Sequence, residues 1–362
     1  MASKRQSRSS ASSRQGDEAM ATRMFAMAVP GLGALLSDEL TSLPGARVRD
    51  RGCDGRVDVV LFDAAPLTHP AVLGLELAED VFVEIGRTLR SEGDNPRWIA
   101  GRIWRPARLQ RALAIRSQLA GPIRNKATSR VIVRVLQEKS FLRTELRRHL
   151  TAVIQRDRLD WQVADPAQLE VWLAEYRKGR LVAGLRLSDA RMRQGKGREV
   201  ERHGALRPTV AAAMIRLAGK PRGTLLDPCC GSGAILAESA RRGWHTLGSD
   251  IDPEAIAIAR RNVPEVSVEV ADVRRLTLAD ASVAACVSNL PFGRQHRVPG
   301  DMVTWLRSVL AEMARVTQSG GHVVLLAPDI PHSATPDALT LTERHPIRLL
   351  GAKTTIWRYS RQ

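Results

Sequence analysis

The apolar positions of this chain change rhythm several times, and each change marks an element. Phe25-Ala26-Met27-Ala28-Val29 is an unbroken apolar run of strand length, and Pro30-Gly31-Leu32-Gly33 supplies the turn after it. Ordered structure is therefore expected from Met24. Leu32, Leu35, Leu36 and Leu40 then recur at helical spacing. Gly55 to Phe62 alternates like a half-buried strand and Val81 to Gly86 reads as another, which predicts a small α+β unit. A second α+β unit is predicted behind it. A helix from Pro106 is followed by a strand over Ser129 to Val135 and a helix bearing Leu142, Leu146 and Leu150. Leu169 to Tyr176 and Arg180 to Leu185, joined through Lys178-Gly179, read as a hairpin.

Beyond that hairpin the pattern is replaced by cations and glycines. Arg191, Arg193, Lys196, Arg198, Arg202 and Arg207, interleaved with Gly195, Gly197 and Gly204, predict a basic, flexible connector over 191–207. Pro208 then fits the first turn of a helix whose apolar face is Val210, Ala213, Met214 and Leu217, ending at Gly219. Four short apolar runs follow, each ahead of a helix-length stretch: Thr224 to Asp227, Thr246 to Ser249, Val266 to Val270 and Ala284 to Ser288. This alternation predicts an α/β domain over 208–362 with a parallel sheet and ligands at the carboxyl ends of its strands.

Length and charge sharpen this division. A chain of 362 residues exceeds the roughly 100–200 residues of one domain, so more than one core is expected, with an N-terminal region over 23–190. A net charge of +17 favours a polyanionic partner, because clustered Lys and Arg gain affinity by releasing counterions from phosphates. Nucleic acid is the leading partner class, although an arginine-rich coding bias raises charge without any ligand. Met1 to Thr22, rich in Ser, Arg, Ala and Gln, reads as a disordered basic leader without the apolar run of a secretory signal. Cys53, Cys229, Cys230 and Cys286 are too few and wrongly spaced for a disulfide framework or a zinc cluster. No metal and a cytoplasmic location are expected. No apolar stretch approaches the roughly 20 residues that cross a bilayer, so a membrane partner is not expected.

The candidate chemistry lies in the second half. Asp227-Pro-Cys-Cys-Gly231-Ser-Gly233 closes a strand and opens a helix carrying Ile235, Leu236 and Ser239. Its glycines let the backbone approach a ligand closely. A dinucleotide fingerprint would need a third glycine where Leu236 stands, and the Gly-Lys-Ser/Thr of a phosphate loop is absent. An acid at Asp227 would repel a pyrophosphate and suits a ligand with a cationic amino end. Asp250, at the end of the next strand, occupies the usual place of a ribose hydroxyl acceptor, and Ile251 could pack on an adenine. Asp252 before Pro253 reads as a helix cap and stays outside the site. Asp272, with Val273 beside it at the third strand's end, offers a carboxylate for an exocyclic amine. In this order and at strand ends, these residues point to S-adenosylmethionine.

Asn289-Leu290-Pro291-Phe292-Gly293 follows the fourth strand. The exocyclic amine of a base is a poor nucleophile because its lone pair spreads into the ring. If the Asn289 side-chain oxygen and a carbonyl of Leu290 or Pro291 hold its two hydrogens, the lone pair can be aimed at a sulfonium methyl. Phe292 offers a flat face on which a flipped base can stack, worth roughly 1–3 kcal/mol. The motif serves guanine N2, adenine N6 and cytosine N4 alike.

The Asp227–Gly233, Gly248-Ser-Asp-Ile-Asp252 and Asn289–Gly293 motifs, with Leu206-Arg-Pro-Thr-Val-Ala-Ala-Ala-Met214, resemble those of the THUMP-domain RNA guanosine N2-methyltransferases. Val29-Pro-Gly-Leu32 is similar to that family's N-terminal opening. The resemblance implies an N-terminal ferredoxin-like and THUMP half that binds RNA, and a Rossmann-like methyltransferase half with a seven-stranded sheet. It implies that Asn289, Pro291 and Phe292 serve the guanine amine, and Asp227, Gly231, Gly233, Asp250 and Asp272 the cofactor, with tRNA as the substrate. An rRNA guanine or DNA amine methylase, and a non-catalytic RNA-binding factor, stay open as alternatives.

Overall fold

The computed structural model describes residues 21–53, 55–123, 126–134, 141–189, 192, 206–291, 301–349 and 351–362. Residues 1–20 of the expected leader and most of the 191–207 connector lie outside them. The chain divides into two compact units, Met1–Met192 and Arg193–Gln362.

The first unit begins with β1 (Thr22–Ala28), α1 (Gly33–Thr41), β2 (Ala46–Cys53), β3 (Asp58–Ala64) and β4 (Asp80–Leu89). It continues through α2 (Pro96–Ile103), α3 (Pro106–Ala120), β5 (Thr128–Arg134), α4 (Arg143–Asp157), β6 (Gln162–Val163), β7 (Leu169–Arg177) and β8 (Arg180–Arg186). The pattern predicted two small α+β units. Instead, strands from both join one sheet in the order β2-β3-β1-β4-β8-β7-β5-β6. Burial explains the join, because Asp80 to Gly86 of β4 are all buried and a strand of that kind needs neighbours on both sides. β1 supplies one and β8 the other, both antiparallel.

β2 was not anticipated. Its residues alternate only between half-buried and exposed, so no apolar stripe announces it. It is an end strand of the sheet, yet the sheet curls until β2 meets β7: the Arg177 guanidinium donates to the Arg51 carbonyl at 2.7 Å, and Tyr176 Oη lies 3.3 Å from Asp50. Inside the curl, Phe25 and Phe82 stack with ring centroids 4.6 Å apart, and Trp172 tilts onto Phe82. Leu142, expected on a helix face, is instead the N-cap residue of α4 and is exposed.

The second unit carries α5 (Pro208–Ala218), β9 (Thr224–Asp227), α6 (Ala234–Arg241), β10 (His245–Asp250), α7 (Pro253–Asn262) and β11 (Ser267–Val270). Then come β12 (Val283–Asn289), α8 (Met302–Val316), β13 (Thr317–Ala327), β14 (Leu339–Leu349) and β15 (Ala352–Arg361). The seven strands are ordered β11-β10-β9-β12-β13-β15-β14; β15 alone runs against the rest, pairing antiparallel with β13 on one side and β14 on the other. β14 escapes a periodicity reading because it is polar, half-exposed and interrupted by Pro346, which an edge strand tolerates. α8 buries Trp305, Leu306, Val309, Leu310 and Met313 in one core with Val323 and Leu325 of β13. Each such side chain contributes about 1.5–3 kcal/mol. Leu236, Ile256, Ala259 and Val263 build a second core with Val268. No helix among the described residues is long and apolar enough to cross a membrane.

The connections reverse direction between β9 and β12, which lie side by side. A crevice opens at the carboxyl ends of strands flanking such a point.

Candidate active site

Two adjacent strand ends build this site. β9 finishes at Asp227, whose carboxylate is 1% exposed and accepts hydrogen bonds from the Ser288 hydroxyl at 2.7 Å and the Cys229 N–H at 3.2 Å. Ser288 is the penultimate residue of β12, so the hydrogen bond ties the glycine-bearing turn to the strand that presents Asn289. Burial pushes the Asp227 carboxyl up to about 7, against the opposing pull of Ser288 and the Cys229 amide. A buried carboxyl held near neutrality is poised to ionise when a cation arrives.

The turn itself is held from β10. Asp250 Oδ2 accepts the Gly231 N–H at 2.8 Å and Oδ1 accepts the Asp252 N–H at 3.0 Å, while the Ser249 carbonyl accepts the Cys230 N–H at 2.9 Å. Gly231 and Gly233 have φ of +53° and +86°, where a side chain is strained. A Cβ on Gly231 would meet open space, whereas one on Gly233 would sit 3.1 Å from Val263 Cγ2. The first glycine thus faces room for a ligand and the second lets α6 pack on α7.

Asp252 caps α7 by accepting the Glu254 N–H at 2.9 Å, as its place before Pro253 predicts. Ile251 is 68% exposed, a large apolar side chain left standing at the strand ends. Asp272 is engaged by Arg274, whose Nη2 lies 2.6 Å away; the guanidinium holds its carboxyl below the usual range. Val273 turns its side chain into the core with Leu226 and Leu276, leaving only its backbone to face a ligand. Burial, and then Asp227 and Asp250, push the thiols of Cys229 and Cys230 well up, so neither is a thiolate nucleophile at neutral pH.

On the acceptor side, Asn289 ends β12 in register with Leu326 of β13, and the Leu290 N–H donates to the Leu326 carbonyl at 3.3 Å. Leu290 is buried, and Asn289 and Pro291 are half-buried. Among the described residues no partner takes up the Asn289 side-chain amide. Phe292 and Gly293 lie outside the described residues.

One polar group here was not singled out from the pattern. Only residues 219–223 separate α5 from β9, so the helix runs back along the strand and its N-terminus returns to the carboxyl edge. There Thr209, 2% exposed, keeps its hydroxyl without a hydrogen-bond partner among the described residues. The available signal was a threonine directly after the helix-starting Pro208, but a helix start gives no hint of burial.

Residues 196–339 match the family model of the RMKL-like methyltransferase domain. The U6 snRNA (guanine-N(2))-methyltransferase THUMPD2 of Bos taurus is 33% identical over 136 residues, 35% of this chain and 26% of that protein. The match to the curated THUMPD2 relatives of cattle and human thus spans about a quarter of their length, 26% and 27%. The tRNA (guanine(10)-N2)-dimethyltransferase of Methanothermobacter thermautotrophicus is 23% identical over 346 residues, covering 90% of this chain and 97% of that protein. Among solved structures, TrmN from Thermus thermophilus superposes with a TM-score of 0.73 at 22% identity, covering 94% of this chain and 100% of that one. The two halves therefore share that protein's fold from end to end.

Proposed function

We propose that this chain, which belongs to the THUMP-containing guanine N2-methyltransferase family, moves a methyl group from S-adenosylmethionine to the N2 amine of a guanosine in RNA, with tRNA as its substrate. One observation carries the reading. The hydrogen bond from Ser288 to Asp227 links the two motifs, so the turn suited to the donor and the amide suited to the amine share one edge of the sheet. Relatives named for tRNA and for U6 snRNA guanine N2 support an RNA substrate, and the chain's charge of +17 suits one.

The residues fit S-adenosylmethionine. The open side of Gly231 admits its chain, the near-neutral Asp227 carboxyl suits an α-ammonium, and Asp250 at the second strand's end suits the ribose hydroxyls. Asp250 already accepts one N–H on each oxygen, and its remaining lone pairs are the ones offered to the ribose. Ile251 would cover one face of the adenine. For Asp272 to receive an adenine amine, it must share its carboxylate with Arg274. When bound, the cofactor supplies an electrophilic methyl carbon on a sulfonium.

The chain's own contribution is positional. Asn289 Oδ1 and a carbonyl of Leu290 or Pro291 accept the two N2 hydrogens, fixing the nitrogen lone pair in one direction. Positive charge that would develop on that nitrogen as it accepts the methyl group would be stabilised by the same two acceptors. The surplus proton then leaves to water. Phe292 is the base-stacking residue of this scheme.

The test is to titrate the protein with S-adenosylmethionine in a calorimeter and to assay methyl transfer to unmodified tRNA, with nucleoside analysis of the product. N2-methylguanosine is the expected product. A methyl group found only on adenine N6, cytosine N4 or DNA would reject the guanine assignment, and absence of cofactor binding would reject catalysis.

A further inference from the structure

At one end of the curled sheet in the first unit, arginines crowd around a buried carboxylate. Glu84 of β4 has a side chain only 1% exposed; Arg87 Nε lies 2.9 Å and Arg108 Nη1 of α3 lies 3.5 Å from its Oε1. Next to it, Arg49 of β2 pairs with Asp63 of β3 at 3.0 Å. Arg23 of β1 sits between these pairs. Its register partner on β3 is Asp63, and the Met24–Val83 pairing places Glu84 opposite it on β4.

Arg23 is thus flanked by two acids, and both are already engaged by other arginines. Among the described residues no carboxylate ion-pairs with Arg23, which is exposed. Burial lowers its guanidinium from the ordinary range, and Arg49, Arg87 and Arg108 push the same way against Glu84. Four guanidiniums against two carboxylates leave an excess of about two positive charges in one place. Folding would be expected to separate like charges, so this arrangement needs an anion to explain it. Glu84 and Asp63 meanwhile hold Arg87, Arg108 and Arg49 in place. Those side chains keep 26%, 46% and 34% exposure, enough to offer N–H donors outward.

We propose that Arg23, Arg49, Arg87 and Arg108, all in the first unit, form a phosphate-binding site that grips the backbone of the RNA substrate. The guanidinium fork matches two oxygens of a phosphodiester, and donors fixed by neighbouring carboxylates lose little freedom on binding. Phosphate contacts of this kind position the nucleic acid and carry no sequence information. The choice of RNA rests on the functional reading above.

The test uses the full chain and an unmodified tRNA transcript in filter binding across 50–300 mM KCl. Each lost phosphate contact is expected to flatten the slope of log affinity against log salt by about 0.7–0.9 and to weaken binding about five- to tenfold at 0.1 M salt. Arg23→Gln should show one such step and Arg23→Gln/Arg108→Gln about two, while Arg23→Lys keeps most of the slope. Calorimetric affinity for S-adenosylmethionine should be unchanged in all three. Arg108→Gln alone, on the exposed side of a helix, serves if the double variant melts early. Wild-type affinity and slope in a normally melting double variant would overturn the site. The same holds if binding to phosphatidylglycerol vesicles, and not to tRNA, is what the substitutions abolish. The two readings fail separately. Methylation of tRNA with an unaltered slope removes this site alone, and an altered slope without methylation removes the catalytic reading alone.

Discussion

Asp227→Asn isolates the electrostatic character of the donor turn. The substitution keeps the shape and a side-chain oxygen to accept from Ser288 and Cys229, but removes the titration. In the folded protein the carboxyl is raised by burial from 3.8 to about 7, so the folded state holds a proton that the unfolded chain releases between those values. Stability must therefore fall as pH rises through that window and level off above about 7. A rise of that size sets a ceiling of about 4 kcal/mol for the penalty at pH 8, of which roughly 1.5 kcal/mol is already present at pH 5. Without cofactor, the variant should melt above wild type at pH 8, and the gap should narrow by about 2–3 kcal/mol at pH 5. That corresponds to roughly 5–10 °C in a domain of this size. Differential scanning fluorimetry across pH 5–8 measures it. A melting difference that stays constant with pH would refute a near-neutral Asp227. An α-ammonium seated against Asp227, as proposed, would favour the ionised form, so wild-type affinity for S-adenosylmethionine should also rise toward pH 8 and the variant should lose that rise.

Further outcomes follow from individual contacts. Asn289→Ala should lower kcat about 10²–10³-fold while calorimetric cofactor affinity stays within a few-fold; near-normal turnover would remove the amine clamp. Asp250→Ala strips the acceptor from the Gly231 and Asp252 N–H groups and should weaken cofactor binding and destabilise the fold by about 1–3 kcal/mol, read by calorimetry and urea melts. Gly233→Ala forces a side chain to φ +86° against Val263 and should lower stability by about 1–2 kcal/mol or more; an unchanged melt would show that the turn relaxes freely.

The second half was legible because its elements are local. β9 and β12 are short, mostly apolar runs, and their burial follows from that composition. The glycine turn and Asp252 cap were equally readable, since backbone conformation and capping depend on immediate neighbours. β2 and β14 were not, because an edge strand is held by one partner's hydrogen bonds and needs no apolar stripe of its own. That the strands of the two N-terminal α+β segments would join in one sheet was not legible for a related reason: the β4–β8 pairing joins residues about a hundred positions apart, and no local pattern encodes it.

By itself, then, the order of residues determined the parallel α/β character of residues 208–362, the glycine turn after β9 and the places of Asp227, Asp250 and Asn289 at strand ends. Only the tertiary structure decided that Ser288 would bind Asp227, that Val273 would turn inward and Asp272 be taken by Arg274, and that Glu84 would hold Arg87 and Arg108, and Asp63 hold Arg49, on either side of Arg23. Local periodicity specifies which face of an element is apolar. Charge, burial and partnership are set by groups brought together from distant elements, and they exist only once the sheets have closed.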